Sequence, residues 1–242
     1  MTPLFCIGHR GASGEAPENT LYAIRRALEQ GADGVEVDVH ATCDGQLVVI
    51  HDATVDRTTD GCGPVAEMTL EAVRSLNAGG GEKVPTLWEV IRLVAGRAWL
   101  NIELKAKGTA LRVVQEVERA VEELGARREA FTISSFDADE LTLAAGRGIP
   151  IGVLDSGRRR GVNRLVRRLN ATTLHLSRRV VNPRRVAFAR AMGVRLLVYT
   201  VNEPDEMRRL AALGVDGIFT DFPGRMPEVF PNVASKMRHS GE

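Results

Sequence analysis

The stretch GVEVDVHATCDGQLVVIHD, residues 34–52, places two carboxylates among the valines of an otherwise strand-like run. Side chains alternate between the two faces of a strand. The valines would therefore face a layer of helices, whereas Glu36, Asp38 and His40 would face the opposite side. We expect the two acids to point together toward the axis of a closed sheet.

On both sides of this stretch, the chain repeats one pattern, in which an apolar run is followed by an amphipathic segment. The predicted strands are 4–8, 34–40, 98–104, 131–135, 150–154, 172–177, 194–200 and 216–220. The predicted helices are 19–30, 86–95, 109–124, 137–146, 160–169, 183–192 and 203–213, with a less regular one near 223–230. Eight alternating units with short connections indicate an α/β protein whose parallel sheet closes into a TIM (β/α)8 barrel.

Domain organisation follows from length and from the one long connection. The 242 residues, 44% of them hydrophobic, predict a single domain over 1–242, because no linker or low-complexity run divides them. Residues 53–84 are too long for an ordinary connection between the second strand unit and the next helix. They predict a small inserted subdomain, on the face where such barrels carry their active sites.

A second predicted strand, in NIELK, has the same inner-face pattern and brings Glu103 and Lys105 inward. Glu103 would then meet Glu36 and Asp38 near the carboxyl ends of the strands, where uncompensated buried charge is costly. An all-oxygen site favours a divalent cation, magnesium, calcium or manganese, over zinc. The alternative is a salt bridge, in which Lys105 neutralises one acid without a metal.

Two histidines are predicted to lie near the same carboxyl ends of the strands. The Asp-Gly of CDGQ, 43–46, indicates a two-residue hairpin turn, which pairs the flanking Cys and Gln and, by extension, Asp38 with His51. Alternatively, the strand ends early and His51 caps a loop. In GHRG, at the end of the first strand, His9 and Arg10 are flanked by glycines that let a ligand approach the backbone. Arg10 could also serve as a salt-bridge partner of an acid.

Composition limits the partners and the compartment. A net charge of +1 supplies no general field for nucleic acid or an anionic membrane, and the arginine-rich stretches on or beside the outer helices are interpreted as solvated charge. Three cysteines without CxxC spacing disfavour a disulfide framework and a zinc site, and the first residues show no secretory leader. We expect a cytoplasmic protein that does not bind nucleic acid.

An ordered set of motifs resembles the glycerophosphodiester phosphodiesterase family, in its cytoplasmic bacterial form. The motifs are HRG, PENT, EVDV, VVIHDATVDRTTDG, VPTLWEV, NIELK, SSF, YTVN and GVDGIFTDFP, running from residue 8 to 223. The resemblance implies a TIM barrel with an insertion after the second strand. It also implies a bound divalent metal ion, for which magnesium or calcium is expected ahead of manganese. It also implies hydrolysis of glycerophosphodiesters to sn-glycerol 3-phosphate and an alcohol.

The resemblance also implies roles for individual residues. The metal ligands fall on Glu36, Asp38 and Glu103, and the catalytic histidines on His9 and His51. The phosphate-binding cations fall on Arg10 and Lys105, and hydrogen-bonding support is expected from Glu18, Asn19 and Asp52. Tyr199 stands where the family usually has tryptophan, and Phe136 is the other candidate for an aromatic wall. We expect His51 to act as base and His9 as acid; direct attack by water and a cyclic phosphate route both remain open.

The expected substrate is a small, water-soluble, deacylated glycerophosphodiester. The insertion has no amphipathic helix with bulky apolar residues, which argues against stable membrane association. The cations identified so far would grip phosphate, so we expect weak discrimination between head alcohols. The alternatives are another barrel metal hydrolase, a phospholipase-type phosphodiesterase, and a non-catalytic phosphate-binding module. The sequence does not predict an oligomeric state.

Overall fold

The computed structural model describes residues 4–158 and 160–231, and these form a closed barrel of eight parallel strands. Around the ring the order is β1, β2, β4, β5, β6, β7, β8 and β9, and β1 pairs with both β2 and β9. The remaining strand, β3, is antiparallel and extends β2 at one end. The TIM-barrel prediction is therefore confirmed, including an insertion after the second strand.

The barrel strands are β1 Phe5–His9, β2 Gly34–Ala41, β4 Trp99–Leu104, β5 Phe131–Ser135, β6 Ile151–Asp155, β7 Thr173–Ser177, β8 Arg195–Tyr199 and β9 Gly217–Thr220, with β3 at Leu47–Val49. The helices are α1 Leu21–Glu29, α2 Leu70–Ser75, α3 Leu87–Val94, α4 Ala110–Leu124, α5 Ala138–Ala144, α6 Val162–Arg168, α7 Pro183–Ala191, α8 Pro204–Leu213 and α9 Met226–Val229. The predicted last helix, 223–230, is a 3-10 turn, Pro223–Arg225, followed by the short α9. Within the described ranges, no helix is both long and apolar enough to cross a bilayer.

The main core lies between the strands and the helices, as the alternation predicts. The β2 valines at 35, 37 and 39 are fully buried in it. Side-chain caps define helix starts: Thr20 accepts from the Ala23 N–H, and Thr86 and Glu89 form a capping box on α3. Because the apolar face of β2 packs against the helices, Glu36 and Asp38 lie on its other face, toward the barrel axis.

The hairpin prediction was wrong in its register by one residue. Val39 lies opposite Val49, so Asp38 opposes Ile50 rather than His51, and the Ile50 N–H donates to the Asp38 backbone carbonyl at 2.9 Å. The loop has three residues between Thr42 and Gln46, because the Thr42 side chain accepts the Gln46 N–H while Gly45 takes a left-handed φ of 79°. The strand ends before His51, which was the alternative considered from the sequence.

The segment 53–84 packs on the barrel through its own small apolar cluster. Val55, Val65, Val73 and Val84 are buried against Val48 of β3 and its neighbours. Its regular structure among the described residues is one 3-10 turn, Val65–Glu67, and α2. This segment lies beside the carboxyl end of the barrel and contributes one side chain, Arg57, to the groups described below.

Candidate active site

Three buried carboxylates, Glu36, Asp38 and Glu103, meet inside the carboxyl end of the barrel. One carboxylate oxygen from each lies within 4.8 Å of the others. Asp38 and Glu103 are direct neighbours in the β2–β4 register, and Glu36 is two residues earlier on the same face of β2. The sequence prediction that these acids converge is therefore correct.

Two cations lie against this trio, so the salt-bridge alternative is also partly realised. The Lys105 ammonium is 2.7 Å from a Glu103 oxygen and 3.2 Å from an Asp38 oxygen. The Arg10 Nε is 3.2 Å from the other Asp38 oxygen, although it is not aligned as a hydrogen bond. Burial would raise the pKa of Asp38, but Lys105 and Arg10 together hold it below its usual value. Two cations still leave three carboxylates under-compensated.

Glu36 is the least compensated acid of the three. Its Oε2 accepts the Arg10 backbone N–H at 3.0 Å, but its Oε1 is buried without a hydrogen-bond partner in the part of the chain that the structure describes. Burial first, and then the charge of Asp38, raise the pKa of Glu36 to about 8. Burial also raises the pKa of Glu103, against the opposing effect of Lys105. An unpartnered carboxylate oxygen beside two further carboxylates is a donor set that suits a hard cation.

Asn19 and Arg10 are held by the chain in left-handed backbone conformations, with φ of 59° and 58°. The Asn19 amide donates to Asp38 Oδ2 at 2.9 Å and accepts the Asp38 N–H at 3.3 Å. The Asn19 N–H in turn donates to the Arg10 carbonyl at 3.0 Å. Non-glycine residues rarely adopt this conformation, and the surrounding contacts must hold it. The result is a fixed orientation for Asp38 and for the start of the Arg10 side chain.

His9 is oriented by Asp221, which follows β9. The His9 Nδ1 lies 2.7 Å from Asp221 Oδ1, and the two residues are 212 positions apart in the sequence. Asp221 also accepts from Ser13 at 2.9 Å and from Asn202 at 2.6 Å, and with His9 these lower its pKa to about 2 despite burial. An ionised carboxylate only accepts, so Nδ1 must carry a proton and Nε2 is left to face the cavity. Burial lowers the pKa of His9, but Asp221 and Glu36 outweigh it and raise the pKa.

His51 is oriented in the same way by its sequence neighbour. The His51 Nδ1 lies 2.6 Å from Asp52 Oδ1, while its backbone oxygen accepts from the His40 Nε2 at 3.1 Å. The hydrogen bonds from Arg57, and then from His51, hold the pKa of Asp52 well below its usual range. Burial is the largest influence on His51 itself and lowers its pKa, against the charges of Asp38 and Asp52. The two histidines therefore shift in opposite directions.

Arg57 links Asp52, which orients His51, to Glu18, which contacts Arg10. Its guanidinium donates to Asp52 at 2.6 and 3.2 Å and to both oxygens of Glu18 at 2.8 Å. Glu18 also accepts from Arg10 at 2.8 Å. A chain of charge-assisted hydrogen bonds thus runs from His51 through the insertion to Arg10.

The cavity in front of these groups has a volume of about 150 Å³. His9, Arg10, Glu36, His51, Glu103 and Lys105 line one part of it. Phe136 and Tyr199 also line it, as an edge-to-face pair with ring centroids 6.2 Å apart. Burial raises the pKa of the Tyr199 hydroxyl above its ordinary range. All the residues predicted as catalytic, metal-binding or phosphate-binding, except Asp38, border this one cavity, and Asp38 lies directly behind it in contact with Arg10 and Lys105.

Comparison with known proteins agrees with this geometry. The sequence profile described as the glycerophosphoryl diester phosphodiesterase family matches residues 9–225. The chain belongs to the glycerophosphoryl diester phosphodiesterase family. A glycerophosphodiester phosphodiesterase of Caldanaerobacter subterraneus subsp. tengcongensis is 40% identical over 229 residues, which cover 90% of this chain and 93% of that protein. The predicted enzyme class, a phosphoric diester hydrolase, is confirmed.

Solved structures of glycerophosphodiester phosphodiesterases share the fold over nearly their whole length. An Oleispira antarctica phosphodiesterase, determined in complex with its product sn-glycerol-3-phosphate, has a TM-score of 0.86 and 29% identity, covering 95% of this chain and 97% of that chain. A glycerophosphodiester phosphodiesterase of Thermotoga maritima has a TM-score of 0.78 and 29% identity, covering 95% and 99%. The family resemblance first drawn from the motifs therefore holds for the whole fold.

Sequence reasoning within the phosphodiesterase motifs missed three residues of the site: Asp221, Asn202 and Arg57. Each lies in a stretch that carried the resemblance, TDFP, YTVN and VDRTTDG. For Asp221 and Asn202 the signal was a polar residue just beyond a strand end, where barrels keep functional groups. Arg57 lies within the insertion and carried no such signal. No spacing rule could assign their partners, because each contact joins separate segments of the chain.

Proposed function

We propose that this phosphodiesterase hydrolyses glycerophosphodiesters to sn-glycerol 3-phosphate and an alcohol, with His9 and His51 as general acid and base and a divalent cation at Glu36, Asp38 and Glu103. One observation carries the proposal. Two histidines face one cavity beside the carboxylate trio, and each has its Nδ1 held by a separate carboxylate, so that each presents Nε2. A non-catalytic phosphate-binding module would not require this pair.

The residues present fit a hard divalent cation. The donors are all oxygens, one Glu36 oxygen is buried without a partner, and Glu36 as a free acid has its pKa raised to about 8 by burial and Asp38. This donor set supports magnesium or calcium, with manganese as a third option. When bound, such an ion supplies Lewis-acid polarisation of a phosphoryl oxygen. Glu36, Asp38 and Glu103 would hold it, and Asn19 keeps Asp38 in place for that purpose.

The two histidines divide the proton transfers. His51, whose pKa is lowered first by burial, is neutral near pH 7 and takes the proton from the attacking nucleophile, water or the glycerol 2-hydroxyl. His9, whose pKa is raised by Asp221 and Glu36 against the effect of burial, is the better proton donor of the two and gives a proton to the departing alcohol. Asp52 and Asp221 hold the imidazoles in the tautomer that each transfer needs.

Arg10 and Lys105 are suited to the non-bridging oxygens of the phosphate. Both line the cavity, and both remain positively charged because neighbouring carboxylates outweigh burial and raise their pKa. Donors placed where negative charge develops stabilise the transition state. Glu18 orients Arg10 from behind.

The small cavity and its aromatic wall support a small, water-soluble substrate rather than an intact lipid. Phe136 and Tyr199 offer apolar contact to the glycerol or alcohol group, and tyrosine adds a hydroxyl where the family usually has tryptophan. We also propose that residues 1–242 act as one domain with 53–84 as its inserted subdomain. Two exposed free cysteines, Cys43 and Cys62, support a reducing, cytoplasmic location.

The experiment measures release of glycerol 3-phosphate from glycerophosphocholine before and after exhaustive chelation, with magnesium, calcium or manganese then restored. Glu36→Gln, Asp38→Asn and Glu103→Gln should each lower kcat by at least about 100-fold, as expected when a metal or a transition-state charge contact is lost. Glu118→Gln, a carboxylate paired with Arg128 on the outer surface, is the control and should stay within about twofold of wild type. Full activity in a verified metal-free sample would disprove the metal site.

The roles of the two histidines require a separate experiment. His9→Ala and His51→Ala should lose most of the rate while still binding the metal, measured by calorimetry. A diester with a very good leaving group needs no proton on the departing oxygen, so it should rescue His9→Ala and leave His51→Ala inactive. Rescue of His51→Ala instead would reverse the two roles, and equal rescue would reject both.

A further inference from the structure

Charge is distributed very unevenly along this nearly neutral chain. Residues 156–202 contain twelve arginines and no aspartate or glutamate, whereas the rest of the chain contains 20 lysines and arginines against 31 acids. Of the arginines described in this segment, Arg185 alone forms an ion pair, with Asp155 at 2.6 Å. Apart from this pair and the charge of Glu206, which acts on Arg178, the positive field of the described part of this segment has no local counter-charge.

About half of these arginines lie on the face of the barrel where the cavity opens. The loops after β6 and β7 and the first turn of α7 lie at the carboxyl face, and they carry the exposed side chains that we call the arginine rim: Arg158, Arg160, Arg178, Arg179 and Arg184. Arg167, Arg168 and Arg190 instead lie in the last turns of α6 and α7, at the opposite end of the barrel. Only the first group can act on a ligand in the mouth.

The rim is attached directly to the cavity wall. The Arg178 N–H donates to the backbone oxygen of Tyr199 at 2.8 Å, and Tyr199 lines the cavity. The two loops also touch, because any side chain at Gly157 would collide with Val180. The rim arginines are therefore carried on loops packed against each other beside the aromatic wall.

The rim also lies across the barrel from the groups proposed to hold phosphate. In the ring of eight strands, β7 is four positions from β2, which carries Glu36 and Asp38. A diester whose phosphate is held at β2 and β4 can extend its second substituent across the barrel toward the β6–β8 side. The rim lies on that side.

We propose that the arginine rim selects glycerophosphodiesters whose alcohol carries negative charge, a carboxylate or a further phosphate, over those with a cationic alcohol. This inference rests on the proposed function and replaces the expectation that the head alcohol matters weakly. Clefts lined by one sign of charge raise the local concentration of oppositely charged substrate, and guanidinium groups bind carboxylate and phosphate in a bidentate manner. Choline and ethanolamine would meet repulsion at the same place.

The test compares glycerophosphoserine with glycerophosphoethanolamine, which differ by one carboxylate. At low salt we expect kcat/KM to be roughly tenfold higher for the serine diester, within the range that charged clefts produce. The ratio should approach about 1 at 0.5 M salt, because screening shortens the range of the field. A ratio that does not depend on salt, or that favours ethanolamine at low salt, would overturn the proposal.

Two variants with the same change in net charge locate the effect. Arg158→Gln/Arg178→Gln/Arg179→Gln should reduce the serine-to-ethanolamine ratio to about 1, while Arg167→Gln/Arg168→Gln/Arg190→Gln should leave it within about twofold of wild type. An unchanged ratio in the rim variant, or an equal fall in the control, would overturn the assignment to the rim. If wild type releases glycerol 3-phosphate from neither diester, the proposed function itself fails; release from both with an unaltered ratio rejects only this inference.

Discussion

Replacing Asp221 with asparagine removes the charge that orients His9 while changing the size of the side chain very little. Asp221 Oδ1 lies 2.7 Å from the His9 Nδ1, and the carboxylate is kept in place by Ser13 at 2.9 Å and Asn202 at 2.6 Å. A charge-assisted hydrogen bond is worth about 1 to 2 kcal/mol more than a neutral one. That difference equals a fall of roughly one unit in the pKa of His9.

The sign of the effect on the pH profile follows from the role of His9. An acid must be protonated to work, so the alkaline limb of kcat should move to lower pH by about one unit in Asp221→Asn. At pH 8, the lower pKa alone should reduce kcat by up to about tenfold, and the loss should be larger if the amide turns its NH2 toward Nδ1 and forces the wrong tautomer. The assay is glycerol 3-phosphate release from glycerophosphocholine across pH 5 to 10.

Two comparisons make this prediction refutable. Asp216→Asn, at the opposite end of the same strand, removes a carboxylate that, among the described residues, accepts only the Leu196 N–H, and its pH profile should match wild type. A diester with a good leaving group should remove most of the defect of Asp221→Asn. An unshifted alkaline limb, or a defect that persists with that substrate, would show that Asp221 does not act through His9.

Three other substitutions test the remaining arrangement. Arg57→Gln should move the acid limb of the kcat profile to higher pH, because Asp52 without its guanidinium partner raises the pKa of His51. Arg57→Lys should restore little of the wild-type profile, since lysine lacks the bidentate fork of arginine. His175 is fully buried and its pKa is lowered to about 3 by burial, so only the unfolded chain takes up its proton below pH 6.5. Wild type should therefore lose about 2 kcal/mol more unfolding free energy than His175→Gln between pH 8 and pH 5 in urea titrations, and parallel losses would contradict this. Tyr199→Phe should leave the unfolding free energy unchanged or raise it by up to about 1 kcal/mol, because the buried hydroxyl has no partner among the described residues. The same variant should raise KM, and an unchanged KM would exclude a contact between the Tyr199 hydroxyl and the substrate.

Most of the barrel was predictable because alternation is a local property of the backbone. The period of two along β2 separates its valines from Glu36 and Asp38 wherever the strand is placed, and the same holds for Glu103 on β4. The register of the β2–β3 hairpin was not predictable from Asp44 and Gly45 alone. The Thr42 side chain accepts the Gln46 N–H and selects a three-residue loop, a contact that no propensity for Asp-Gly encodes.

Local alternation along the strands establishes which residue types face the axis, and therefore that acids, histidines and cations gather at one end of a barrel. Which of these residues become partners depends on contacts between distant segments. His9 meets Asp221 only because ring closure sets β1 beside β9, and Arg57 reaches Glu18 only because the insertion packs back on the barrel through its valines. Side-chain period is set by neighbouring peptide units, whereas contacts between distant segments depend on how the whole chain closes on itself.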